Sequence, residues 1–146
     1  MTPNPIRKTA ILLVAAMMLP TAPLQAATVS RQDNAASPRG WSSIAGKDPR
    51  DVREMARTLP LSDQTTKDQP WCGRDSEIET ALQHDFGEAK VATNTKDTAL
   101  WGSDQMGTWT MVLQRPDDTS CIIASGIGFN QQTSPASYFV TAGLGS

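Results

Sequence analysis

The apolar positions after Asp75 repeat with the period of a helix. Ile78, Ala81, Leu82 and Phe86 fall three or four residues apart on one stripe. Asp75 or Ser76 stands where a cap is wanted, and Glu77 and Glu79 place carboxylates in the first turn. Gly87 follows where a left-handed residue would end the helix. The period then switches to two. Lys90 to Thr93 and Ala99 to Trp101 are short strand candidates, and Asp104 to Gly107 reads as a turn. Thr108 to Gln114 alternates, with Trp109, Met111 and Leu113 on one face and Thr108, Thr110, Val112 and Gln114 on the other. Pro116-Asp117-Asp118-Thr119 is a turn signal, and Ser120 to Phe129 resumes as a strand, so the two runs predict a hairpin.

The flanks read differently. Residues 27–70 are poor in aliphatic and aromatic side chains and are expected to be largely disordered. One short helix stands out there: Asp48 as cap, Pro49 in the first turn, Val52, Met55 and Ala56 on one face, and Leu59-Pro60 as its end. Trp41 is isolated and reads as a loop anchor. Residues 131–146 read as a flexible tail with a small apolar patch at Tyr138, Phe139 and Val140.

These patterns predict an α+β domain over residues 71–130, with one helix on a three- or four-stranded antiparallel sheet in two layers. Its core would hold Ile78, Leu82, Phe86, Trp101, Trp109, Met111, Leu113 and Ile123, joined by Trp71 and Phe129. A unit of about 60 residues is marginal on burial alone.

The first residues change the picture of where this domain works. Arg7 and Lys8 precede the apolar run Ala10–Leu19, and Pro20 to Ala26 closes on small residues. This is the layout of a secretory signal peptide over residues 1–26, with cleavage fitting best after Ala26 and Ala27 as the second site. The run is shorter than the roughly 20 residues a membrane span needs, so no stable membrane insertion is expected after cleavage. A periplasmic or secreted protein follows as the expectation.

Charge narrows the partners. The chain holds 13 Lys+Arg and 15 Asp+Glu. From Trp71 onward there are four basic and nine acidic residues. That balance argues against nucleic acid, which wants a basic stripe, and against docking on anionic lipid. An envelope protein or a cell-wall component is the expected partner class.

The chain has two cysteines, Cys72 and Cys121. In an exported protein such a pair is expected to form a disulfide. The rival is a reactive thiol, which would want a resolving cysteine or a nearby base. There is no Cys-x-x-Cys, and Ile122 and Ile123 follow Cys121.

Catalytic chemistry is sparse, and no catalytic, cofactor or metal residues are assigned. His84 is the single histidine, and its neighbour Asp85 points to another part of the helix surface. Most carboxylates stand at caps and turns. Glu88, directly after Gly87, is the acidic residue with the best claim to chemistry. A small hydrolase or thiol-redox protein using Glu88, His84 or the cysteines is the alternative to a non-enzymatic binding or accessory module. Gly126-Ile127-Gly128 lacks the third glycine of a dinucleotide loop, and Ser125 lacks the preceding glycine of a nucleophile elbow. Trp71, Trp101, Thr108 and Thr110 form the candidate binding surface.

Three stretches carry a resemblance: Trp71-Cys72 to Phe86-Gly87-Glu88, Gly107-Thr108-Trp109-Thr110, and Ser120-Cys121 to Gly126. They resemble a group of small exported bacterial proteins of uncharacterised function, with a cysteine before a helix, a Gly-Thr-Trp-Thr strand and a cysteine-bearing last strand. The resemblance implies that both cysteines belong to the design of the unit. It implies no activity.

Overall fold

The computed structural model describes residues 38–62, 66–94 and 96–145. The expected signal segment, residues 1–26, lies outside the described residues, as does the polar stretch up to residue 37.

The elements run β1 (Arg39–Ser42), α1 (Pro49–Ala56), β2 (Cys72–Arg74), α2 (Asp75–Phe86), β3 (Ala89–Thr93), β4 (Thr98–Ser103), β5 (Thr108–Gln114), β6 (Thr119–Ile127) and α3 (Pro135–Thr141). The six strands form one antiparallel sheet in the order β1-β6-β5-β4-β3, with β2 also paired to β6. β1 and β2 share the outer edge of β6: β1 lies along Ala124 to Ile127 and β2 along Thr119 to Cys121. The α+β class and the hairpin agree with the sequence. The sheet is larger than the expected three or four strands, because β1 and β2 have only four and three residues. Strands that short leave no alternation to read.

The arrangement has three layers, not two. Leu100, Trp109, Met111, Leu113, Cys121 and Ile123 face one side, where Val52 and Ala56 of α1 and Tyr138 and Phe139 of α3 cover them. Ala99, Trp101, Val112 and Ile122 face the other, under Ile78 and Leu82 of α2. The single core expected from the sequence is therefore two clusters, separated by the pleat of the sheet. Phe86, expected in the core, is instead 46% exposed at the end of α2. At the Met111–Val112 step the register with β6 slips by one residue, which lets Ile123 and Ala124 both join the first cluster.

The flanks are part of the domain. α1 forms as its sequence predicts: the Asp48 carboxylate accepts the Arg50 backbone N–H at 2.8 Å, and Pro49 opens the helix. It is docked, so the described part of 27–70 is ordered by tertiary contacts that its composition does not reveal. The expected tail is likewise corrected. Tyr138 is fully buried, its ring edge-on to Trp109 at 5.9 Å and tilted on Phe129 at 5.3 Å. Its hydroxyl accepts the Asn130 N–H at 2.8 Å. A seven-residue helix is too short to announce itself by periodicity, and its burial rests on the aromatic cluster it completes. Trp41, read as a loop anchor, lies in β1 and is 56% exposed.

Cys72 and Cys121 are bonded and are directly opposite each other on β2 and β6. The carbonyl of Cys72 turns outward and accepts the Ser62 N–H at 2.8 Å. The helix that follows starts at Asp75, whose carboxylate takes the Ser120 hydroxyl rather than capping its own helix.

Candidate functional site

α2 covers only part of its side of the sheet. Ala99, Val112 and Ile122 lie beneath it, and Trp101 is 4% exposed there. The register then carries a row across the strands: Lys90, Trp101, Thr110, Ser125 and Trp41. The next row on the same side holds Ser103, Thr108, Ile127 and Arg39. Beyond the helix this face is floored by hydroxyls and edged by Trp41 and Ile127, 56% and 48% exposed.

Glu88 enters this floor from the end of α2. Gly87 takes the left-handed conformation (φ 60°), and its N–H bonds the Gln83 carbonyl. The Glu88 N–H reaches back to the Leu82 carbonyl at 3.0 Å. That turn tucks the Glu88 side chain beneath the helix end, where it is 2% exposed. Glu88, Thr108, Thr110, Ser125, Phe86 and Ile122 are among the walls of a cavity of about 200 Å³.

The electrostatics are unusual for a surface carboxylate. Burial pushes the Glu88 carboxyl above its ordinary value, and the Thr110 and Thr108 hydroxyls oppose the rise. Glu88 Oε2 and Thr108 Oγ1 are nonetheless buried and unpartnered among the described residues. No ion pair among the described residues involves Glu88.

Two other hollows differ in kind. One of about 560 Å³ lies beside Leu61, Arg74, Asp75, Asp117 and Asp118. Two of its three acids are engaged: Asp75 with Ser120, and Asp117 with Thr119, whose hydroxyl holds that carboxyl below the usual range. The other, about 360 Å³, runs along Phe139, Val140 and Leu144 and holds no ionisable side chain.

The sequence candidates separate accordingly. Thr108 and Thr110 line the Glu88 cavity. Trp101 packs under α2, and Trp71 is half-buried against the same cluster. His84 is exposed on α2, and the two cysteines are bonded to each other. Ser125 and Ile127 reach the face through the pairing of β5 with β6, whereas Trp41 joins it only through the pairing of β1 with β6, which no local pattern reveals. No group of His, Cys, Asp and Glu among the described residues is arranged to hold a metal ion.

Fold and cavity together define a small disulfide-linked α+β domain with an open, hydroxyl-floored sheet face around a buried acid. No family model matches the chain, and no match was found among curated proteins or solved structures.

Proposed function

We propose that this protein is a non-enzymatic binding or accessory module of the periplasm or the secreted fraction, recognising an envelope protein or a cell-wall component through the face around Glu88. The observation that carries this reading is a buried carboxyl whose Oε2 has no partner among the described residues, set in a hollow beside two exposed apolar side chains, Trp41 and Ile127. Burying an unpaired acceptor opposes folding, so a function for it is the natural explanation. The disulfide agrees with an oxidising compartment. No helix among the described residues is long and apolar enough to cross a membrane, which is compatible with that reading. The acidic balance from Trp71 onward favours a partner that presents cations. The disulfide also weakens the thiol-redox alternative, since neither cysteine keeps a free sulfur.

Crosslinking of the tagged protein in its native host, under non-reducing conditions, tests the reading. A discrete adduct is expected, lost when Ile127 is changed to Asp with the fold intact. Absence of any adduct from the unaltered protein would remove the binding role.

A further inference from the structure

Three oxygen-bearing side chains line the cavity, Glu88, Thr108 and Thr110, and the two hydroxyls act on the Glu88 carboxyl. Two of their oxygens, Glu88 Oε2 and Thr108 Oγ1, are buried with no hydrogen-bond partner among the described residues. An ionised carboxylate only accepts, and each hydroxyl brings one proton against two lone pairs, so acceptor sites outnumber donors in the hollow. The basic side chains on this face do not supply the missing donors. Lys90 lies in register with Trp101 and Arg39 with Ile127, and neither lines the cavity. Leu82, Phe86 and Ile122 make the remaining wall apolar, and about 200 Å³ holds one long side chain.

We propose that the Glu88 cavity binds a single primary ammonium on an unbranched aliphatic stem, the group a lysine side chain of a protein or peptide partner presents. This rests on the binding-module reading and names what the module recognises. An ammonium offers three N–H donors about one tetrahedral nitrogen, one for each of the three side chains. A guanidinium is a flat fork suited to two parallel bonds with one carboxylate, and it leaves the threonines poorly served. The aliphatic stem lies along Phe86 and Ile122 while its charged head reaches the acid.

The purified, disulfide-intact protein is titrated with Nα-acetyl-lysine N-methylamide, and with the arginine and norleucine counterparts, while the amide NMR shifts of Thr108, Thr110 and Ser125 are followed. The lysine compound is expected to shift them saturably. The norleucine compound, and the lysine compound on Glu88→Gln, should bind weaker by about tenfold or more. Thr108→Val carries the same expectation if Glu88→Gln lowers the yield of folded protein. No saturable shift with the lysine compound, an equal response to norleucine, or tighter binding of the arginine compound overturns the ammonium assignment. The crosslinking experiment separates the two levels. An adduct that survives saturating lysine compound sinks the ammonium and leaves the module, whereas no adduct at all sinks the module itself.

Discussion

Arg115 donates through Nη1 to the carbonyl oxygen of Leu59 at 2.6 Å, across 56 residues of chain. The same nitrogen reaches the Ala56 carbonyl at 3.1 Å, and Nε donates to Thr119 Oγ1 at 2.7 Å. A nearly buried cation in the β5–β6 turn thus serves the open carbonyls at the end of α1. Through it the polar segment before β2 is fastened to the hairpin.

Arg115→Met should loosen that fastening. Hydrogen bonds to a charged group are worth about 1.5–3 kcal/mol each, and the freed carbonyls are only partly reached by water. A lower melting temperature is expected, together with faster amide hydrogen exchange in α1 than in β4 or β5. Uniform exchange changes across the domain would show that Arg115 does not act on α1 in particular.

The disulfide closes a loop of 49 residues between β2 and β6. On the chain-entropy argument, replacing both cysteines with serine should cost about 4 kcal/mol. For a small domain that is a large share of a total of about 5–15 kcal/mol. Urea unfolding of the double variant measures it, and a midpoint equal to the parent's would refute a structural role for the bridge.

Gly126 faces Trp109 and β1. A methyl group there would overlap the Trp109 ring and the Arg39 carbonyl oxygen, neither of which can move cheaply. Gly126→Ala should destabilise by about 1–3 kcal/mol. Gly73→Ala is the comparison: its nearest neighbours are the flexible end of Glu77 at 3.3 Å and the Ile78 side chain at 3.4 Å. Thermal melts of the two variants should therefore separate clearly, and equal melts would argue against tight packing of Trp109.

Those contacts show what the sequence could and could not reveal. α1, α2 and the β5–β6 hairpin were legible, because caps, periods and turn residues act within a few positions. Glu88 was legible as an acid worth attention, since it follows Gly87 where a strand is expected to start. Its burial was not, because that depends on Thr108 and Thr110 arriving from another strand. The second helical layer was hidden for a similar reason: Val52, Ala56, Tyr138 and Phe139 are apolar in short elements, and their docking depends on partners distant in sequence, Trp109 for Tyr138 and Arg115 for the end of α1. The placing of Trp41 on the candidate face follows from its pairing with Ser125, a contact 84 positions away in register.

Glu88 also ties stability to pH. Its folded carboxyl is held above the ordinary value of 4.5, first by burial. The folded state then binds the proton more tightly than the unfolded chain. Its contribution is full below 4.5 and is lost as pH rises through the folded value. Glu88→Gln lacks this titration. Urea unfolding from about pH 4 to about pH 7 should therefore show the variant gaining on the parent as pH rises. A stability difference independent of pH would contradict the raised value.

The most direct measurement is the titration of the Glu88 side-chain carboxyl carbon by ¹³C NMR in the free, oxidised protein. A midpoint above 4.5 is expected, with the Thr108 and Thr110 amides following the same curve. A midpoint at or below 4.5, as for a solvated or ion-paired glutamate, would contradict a buried acid awaiting a donor.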